Sequence, residues 1–229
     1  DTDLYETWRA FYSNQNHVRS AYLRMIEQVA WYVSSQPNVI GYDLLNEPHG
    51  DESQEILPLY EDAAAVIRRI DPDSVLFVSP RVQTSLGEPS YMPRPSFSNL
   101  AYSPHYYDLA LMSTKVWTGK SPQNAILEMA AHASAWGVPL FMGEFGAPAL
   151  AGGGAAYIDV FYDMINRMFV SGTQWVYNPR WNEDHKDGWN REDLSIVGPM
   201  LFPRDNFRAR PYPRRVAGYP EQFDLREDS

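Results

Sequence analysis

Short apolar segments alternate with helical segments along this chain of 229 residues, and this alternation is the feature that most restricts its fold. The apolar segments begin roughly 35 residues apart and end in polar or turn-forming residues, which is typical of βα units. The first of them is apolar on both faces, as strands of parallel sheets are. The pattern therefore predicts an α/β fold with a parallel sheet, with strands at 38–45, 75–78, 99–104, 139–146 and 173–178.

Helices are predicted between these strands, at 17–34, 55–70, 121–136 and 155–170. The first has apolar residues at steps of three and four, namely Val18, Tyr22, Met25, Val29 and Val33. The segment 79–98 is different, because four prolines interrupt it. We interpret it as a long irregular connection on the functional rim, with a short helix inside it as an alternative. After residue 179 the alternation stops.

Composition excludes several classes of function. The net charge is −10 and no basic block occurs, so nucleic acid is not expected as a partner. The chain has no Cys, which excludes disulfides and thiolate metal sites. No apolar run approaches the roughly 18 residues of a membrane span. Aromatic residues make up 14%, which suits a site that stacks sugar rings but equally suits a bulky core.

Two glutamates stand where predicted strands end. Glu47 lies in "YDLLNEPHG" (42–50), after Asn46 and before Pro48, and Glu144 lies in "PLFMGEFG" (139–146). In parallel α/β domains the reactive groups lie at the carboxyl ends of strands. A single carboxylate there is more often a cap or an ion-pair partner. Two facing carboxylates, however, suit glycoside hydrolysis, with retention of configuration when they are about 5–5.5 Å apart.

The motifs "LLNEP" and "GEFG" resemble the acid/base and nucleophile motifs of glycoside hydrolase family 5, a (β/α)8-barrel family of retaining β-glycosidases. The resemblance covers roughly residues 20–200 and includes "SPHYYD" and "QWVYN". The later stretches "DGWNREDLSIV" and "RPYPRRVAGYP" are similar to the endoglycoceramidase branch, whose members cleave the sugar from ceramide or sterol glycosides.

The resemblance implies a role for each matched residue. Glu47 would be the acid/base and Glu144 the nucleophile, and the expected substrate-binding residues are Asn46, His105, Tyr107 and Trp175. Tyr106 could replace Tyr107, although strand alternation places His105 and Tyr107 on one face. Trp175 could also be a core residue. The residues after the acid/base, His49, Asp51 and Glu52, are interpreted as loop residues that edge the site.

The loop after the last predicted strand holds Trp181 and Trp189, which could line a channel for a lipid aglycone. A solvated loop is the default interpretation. The Asp and His residues there match no compact ligand spacing, so no metal is predicted, and no cofactor is expected.

The five predicted strands match the fourth to the eighth of a barrel. Residues 1–205 are therefore interpreted as the later part of a catalytic (β/α)8 barrel whose missing half comes from another segment or chain. The strand at 38–45 would then have an unpaired edge. Residues 206–229 are interpreted as an extended proline-rich segment leading to a possible β-sandwich domain.

The favoured function is cleavage of a β-glycosidic bond with retention, on a glycosphingolipid or related glycolipid. A β-glucosidase, steryl-β-glucosidase or endo-β-glucanase of the same family is the alternative. A catalytically inactive barrel that binds carbohydrate or glycolipid is an alternative of another class. The resemblance favours secretion, and the sequence does not otherwise indicate a compartment.

Overall fold

The computed structural model describes residues 2–182, 184, 192–207, 209–210 and 218–221. The strands are β1 (Gly41–Asp43), β2 (Val75–Val78), β3 (Leu100–Tyr102), β4 (His105–Tyr106), β5 (Phe141–Phe145) and β6 (Ser171–Gln174). The α-helices are α1 (Thr2–Tyr12), α2 (Val18–Val33), α3 (Leu57–Arg68), α4 (Leu109–Thr114), α5 (Gln123–Trp136) and α6 (Gly154–Arg167). The predicted α/β class is confirmed.

The described residues form two compact units. The first comprises Asp1–His105 and Glu128–Phe141, and the second comprises Tyr106–Leu127 and Met142–Ser229.

The first unit contains a parallel sheet with the strand order β1-β2-β3. Consecutive strands are neighbours, as a barrel requires and as each half of a doubly wound sheet also shows. Gly41 fits a close approach in this sheet, because a Cβ there would lie 2.0 Å from the carbonyl oxygen of Val75. Within the described sheet β1 is an edge strand, as the sequence predicts.

The second sheet has the strand order β4-β5-β6 and corrects two predicted strands. The strand predicted at 99–104 ends at Tyr102, and the chain resumes extended pairing as β4 at His105. Pro104 lies in the break and has no N–H to donate to a neighbouring strand. The last strand forms at Ser171–Gln174 rather than at 173–178, so Trp175 follows the strand instead of lying within it.

Helix α2 forms as predicted, but the apolar face expected from its spacing is not the buried face. The buried residues are Ile26 and Ala30, whereas Val18, Met25 and Val29 are exposed. Helix α2 packs against α3 and against α1. Two apolar stripes overlap on this helix, and spacing alone does not distinguish them.

Short helices add to the predicted elements, and one of them was expected as an alternative. Helix α4 begins after Asp108, whose carboxylate accepts the N–H of Leu111 at 2.7 Å, the usual form of an N-cap. The connection 79–98 holds a 3₁₀ helix at Val82–Leu86, which confirms the alternative of a short helix within it. A π-helix, Glu52–Ile56, precedes α3.

Phe161 of α6 lies at the centre of the apolar core of the second unit. It is fully buried and stacks on Phe145 with ring centroids 4.2 Å apart and an interplanar angle of 13°. Replacing Phe161 with alanine should lower the free energy of unfolding by about 3–5 kcal/mol, because it leaves a cavity that the neighbours fill only in part. Denaturant unfolding checks this, with Phe202→Ala, an exposed aromatic, as the control expected to stay within about 0.5 kcal/mol. Equal losses in both variants would contradict the assignment.

Among the described residues, no helix combines the length and the apolar character that crossing a membrane requires. The proline-rich segment predicted at 206–229 lies largely outside the described residues. The second domain expected beyond it stays a prediction.

Candidate active site

The segment that carries Asn46, Glu47 and Pro48 follows β1 in the first unit. The backbone continues to pair beyond the strand, since the N–H of Leu44 donates to the carbonyl of Phe77 at 3.2 Å. A tyrosine then holds the chain, since the hydroxyl of Tyr22 donates to the carbonyl of Leu44. The hydroxyl of Tyr60 donates to the carbonyl of Ser79 at 2.8 Å and lies 3.4 Å from the carbonyl of Leu45. The chain is therefore held at Leu44, two residues before Asn46, whose own side chain is exposed.

Glu47 has a left-handed backbone with a φ of 44°. Non-glycine residues adopt this region uncommonly, at a cost of about 1–2 kcal/mol. The proline that follows adds a second restriction, because it disfavours the right-handed helical region for the residue before it. Glu47 thus turns the chain sharply at the end of the strand.

The carboxylate of Glu47 contacts His105. Oε1 of Glu47 lies 2.9 Å from Nδ1 of His105, and the two side chains are 23% and 3% exposed, respectively. When Nδ1 carries the proton, it donates to the carboxylate. His105 also acts on Asp43: the surrounding protein raises the pKa of Asp43, and the nearby His105 acts in the opposite direction. The side chain of Asp43 is exposed in part, but the neighbouring residues at the end of the strand remove water from its carboxyl, and this desolvation raises the pKa.

The second predicted acid, Glu144, lies on β5 in the second unit and is partly exposed. The hydroxyl of Tyr107 donates to Oε2 of Glu144 at 2.8 Å. Tyr106, the alternative tyrosine, is buried and stacks on Phe161. Of the two neighbouring tyrosines, Tyr107 is the one that contacts the carboxylate. A phenol that donates to a carboxylate stabilises its ionised form.

Trp175 directly follows β6 and is 36% exposed, so it is not a buried core residue. Its N–H donates to the carbonyl of Phe145 at 2.8 Å, and its own carbonyl passes close to Gly146. A Cβ at Gly146 would lie 2.5 Å from that carbonyl oxygen, so a larger residue would displace the chain. The glycine in "GEFG" thus allows the backbone of Trp175 to lie against the residues that follow Glu144. The peptide bond between Trp175 and Val176 is cis.

Of the two tryptophans predicted to line an aglycone channel, Trp181 is partly buried in the second unit. Trp189 lies outside the described residues.

Glu52 is a buried carboxylate that the sequence reasoning treated only as a loop residue. It is 6% exposed. One oxygen accepts the N–H of Arg81 at 3.1 Å and the hydroxyl of Ser90 at 2.8 Å, and the other accepts the N–H of Tyr91 at 2.5 Å. Glu52 therefore fastens the long connection to the segment that follows Glu47.

The capping pattern at 51–55 is the sequence signal that could have identified Glu52. The carboxylate of Asp51 accepts the N–H groups of Ser53 and Gln54, and Glu55 reaches back to accept the N–H of Asp51 at 2.8 Å. This reciprocal arrangement resembles a capping box. The capping arrangement uses Asp51 and Glu55, so Glu52 is the acidic residue of this segment that is left for another role.

Glu47 follows β1, and Glu144 is the residue before the last in β5. These positions place the chain in the class of α/β proteins whose reactive groups lie at the carboxyl ends of strands. The model of the cellulase family, glycosyl hydrolase family 5, matches residues 1–180. The chain belongs to glycosyl hydrolase family 5, and the resemblance seen in the motifs of Glu47 and Glu144 is confirmed at the level of the family.

Among curated proteins, the chain is similar to Endoglucanase E-5 of Thermobifida fusca, with 30% identity over 162 residues, 66% of this chain and 32% of that protein. It is also similar to Endoglucanase Z of Dickeya dadantii, with 29% identity over 178 residues, 76% of this chain and 38% of that protein. The chain thus spans about a third of the length of these relatives.

Among solved structures, the chain is similar to endo-glycoceramidase II from Rhodococcus sp. in its five-membered iminocyclitol complex. The TM-score is 0.76 at 23% identity, over 95% of this chain and 52% of that chain. A second similar structure is the cellulose synthase subunit Z of Clostridioides difficile, with a TM-score of 0.67 at 19% identity, over 86% of this chain and 68% of that chain. At these identities the likeness is one of fold.

Proposed function

We propose that this chain carries the catalytic acids of a retaining β-glycosidase, with Glu47 as acid/base and Glu144 as nucleophile. The observation that carries the proposal is the pair of hydrogen bonds from residues 105–107: His105 contacts Glu47, and Tyr107 contacts Glu144. Residues two apart in an extended segment present their side chains on the same face. Each glutamate has a polar partner within its own unit, and the two partners are two positions apart in the sequence, which supports a shared role.

In the first chemical step, a carboxylate oxygen of Glu144 attacks the anomeric carbon as the bond from that carbon to the aglycone oxygen breaks. Glu47 gives its proton to the leaving oxygen, and a glycosyl ester of Glu144 forms. In the second step, Glu47 removes a proton from water, whose oxygen displaces Glu144 from the anomeric carbon. Both glutamates return to their starting forms, and the configuration is retained. The proposal requires the carboxyls to lie about 5–5.5 Å apart.

The neighbouring side chains have supporting roles in this proposal. Tyr107 holds the nucleophile by the hydrogen bond that it donates, and His105 orients the carboxyl of Glu47. Asn46, exposed beside Glu47, would bind the 2-hydroxyl of the sugar, a contact that strengthens in the transition state. Trp175, exposed after β6, would stack on the sugar ring.

Glycolipids are the favoured substrate class, in a retaining enzyme of the endoglycoceramidase kind. The likeness of fold to endo-glycoceramidase II extends over 95% of the chain and supports this. Cleavage of a β-glucan is the second candidate, supported by 30% identity to Endoglucanase E-5. In the first case Trp181 would line the path of the lipid. A barrel that binds such glycans without cleaving them is the candidate from another class.

Parallel assays of glucosylceramide, lactosylceramide, a steryl β-glucoside and a cello-oligosaccharide test the substrate class. Release of intact lactose from lactosylceramide would support the glycolipid proposal. Cleavage of the cello-oligosaccharide alone would favour the endoglucanase candidate. Binding without turnover of any of the four would favour the non-catalytic alternative.

The strands β1 to β6 are proposed to form the later part of a (β/α)8 barrel, the remainder coming from another segment or chain. The edge position of β1 in the described sheet supports this. So do large exposed apolar side chains at the end of α2 and directly before β1, at Trp31, Tyr32 and Ile40, which are 69%, 76% and 68% exposed. Such surface is more typical of an interface than of a solvated face.

Replacing Tyr107 with phenylalanine is expected to lower kcat about 10- to 100-fold, because a hydrogen bond to a charged group contributes about 1.5–3 kcal/mol. The KM should change much less, since the lost interaction acts on the nucleophile. Steady-state kinetics on an aryl β-glycoside checks this. Tyr106→Phe is the matched control and should stay close to wild type. A loss confined to the Tyr106 variant would reverse the assignment of the two tyrosines.

A further inference from the structure

We propose that Glu52 is a positioning residue for the acid/base and acts through residues 81–91 of the connection 79–98. The inference rests on the proposed function. Glu52 lies five positions after Glu47 and is buried. All three of its hydrogen-bond partners belong to the connection: the N–H of Arg81, the hydroxyl of Ser90 and the N–H of Tyr91. An acceptor with three donors fits the ionised carboxylate.

The same connection also holds the residue next to the acid/base. The N–H of Val82 donates to the carbonyl of Pro48 at 2.9 Å, directly after Glu47. The segment 48–52 is thus tied at both ends to residues 81–91. The connection is itself closed by Arg81, whose guanidinium contacts the carboxylate of Glu88 at 3.1 Å and the carbonyl of Pro89 at 3.4 Å.

This arrangement explains how Glu47 keeps an unfavourable backbone. A left-handed residue persists where its surroundings hold it on both sides. On the N-terminal side, the hydroxyl of Tyr22 holds the carbonyl of Leu44. On the C-terminal side, the bonds of Pro48 and Glu52 to the connection hold the chain. Loosening the second set should let Glu47 relax, and its carboxyl should leave the position in which His105 contacts it.

Glu52→Gln tests this with little change in shape. The amide of glutamine has one accepting oxygen, so in either orientation its NH₂ group faces an N–H donor of the connection. Glu61→Gln is the matched control, because Glu61 binds the other end of the same connection. Its carboxylate accepts the N–H and the hydroxyl of Ser96, both at 2.6 Å. Both variants lose a carboxylate that anchors residues 79–98. Only the carboxylate of Glu52 anchors the part of this connection that lies next to the segment of Glu47.

The readout is the dependence of kcat/KM on the leaving group, measured with a phenyl and a dinitrophenyl β-glycoside. A displaced acid should matter for phenol, which needs a proton, and little for dinitrophenol, which does not. For Glu52→Gln we expect kcat/KM to fall about 10- to 100-fold on the phenyl glycoside, which is part of the roughly 10²–10⁴-fold contribution of general acid catalysis. On the dinitrophenyl glycoside kcat/KM should fall by less than about threefold. For Glu61→Gln neither rate should fall more than about threefold.

A second variant covers the case in which Glu52→Gln fails to fold, as judged by thermal unfolding. Val82→Pro removes only the N–H that donates to Pro48. Proline suits the first residue of the 3₁₀ helix, and Arg81 before it is extended, with φ −56° and ψ 149°. It should show the same leaving-group-dependent loss.

The outcomes separate the two proposals. If the wild type cleaves β-glycosides and both Glu52→Gln and Val82→Pro lose equally on the two aryl glycosides, or match Glu61→Gln, the positioning role of Glu52 is wrong while the proposed function stands. If the wild type cleaves neither aryl glycoside nor any natural β-glycoside, the proposed function fails, and the role of Glu52 fails with it.

Discussion

Replacement of Glu144 by glutamine is expected to lower kcat by a factor on the order of 10⁴–10⁶, the range seen when a hydrolase loses its covalent nucleophile. Glutamine has nearly the same shape, and its oxygen can still accept the hydroxyl of Tyr107. The variant should therefore still bind the sugar while failing to form the glycosyl ester. Initial rates on an aryl β-glycoside measure the first effect, and calorimetric titration with the product sugar measures the second.

Glu128→Gln is the control for Glu144→Gln, because Glu128 is an exposed glutamate on α5. It should leave both measurements unchanged. A 2-deoxy-2-fluoro glycoside, which slows hydrolysis of the ester, should add its sugar mass to the peptide that holds Glu144. Turnover retained in Glu144→Gln, or labelling of another peptide, would show that the nucleophile lies elsewhere.

Replacement of Glu47 by alanine is expected to lower kcat/KM about 10²–10⁴-fold on substrates with poor leaving groups, the usual contribution of a general acid. The loss should nearly vanish for a dinitrophenyl glycoside, whose leaving group departs without a proton. The second step should remain slow, because no base activates water. Azide needs no deprotonation, fits the space left by the side chain, and should restore turnover by forming a β-glycosyl azide.

The azide product distinguishes the two glutamates. The β-azide from Glu47→Ala indicates that the variant still forms its ester with Glu144. Formation of the α-azide would indicate instead that Glu47 is the nucleophile and that the roles are exchanged. Glu55→Ala is the control, since Glu55 lies in the π-helix that follows the loop of Glu47 and contacts the backbone of Asp51. Some loss of stability is expected from it, but no change in activity with azide.

The parallel strands and the positions of the two glutamates could be predicted from sequence because the responsible signals are local. A strand apolar on both faces must be buried, and the polar residues after it must lie at the end of the sheet. The preference for Tyr107 over Tyr106 rests on the alternation of extended chain, and the contact of Tyr107 with Glu144 agrees with it.

Other features depended on contacts between distant parts of the chain. The buried face of α2 is set by the helices packed against it, and nothing within α2 distinguishes Ile26 from Met25. The partners of Glu52 lie 29 to 39 positions away, in a connection without periodicity. The break between β3 and β4 was visible as Pro104, but its effect on pairing depends on which neighbour would have accepted a hydrogen bond.

The left-handed backbone of Glu47 has a consequence for how this protein changes over evolutionary time. At such a position asparagine or glycine would relieve a cost of about 1–2 kcal/mol, so under the proposed function Glu47 lowers the stability of the fold in return for activity. In a descendant that no longer needed the acid, selection for stability alone would favour its loss. In such a lineage, substitution of Glu47 would therefore tend to come early, and it would raise the stability of the fold while activity is lost.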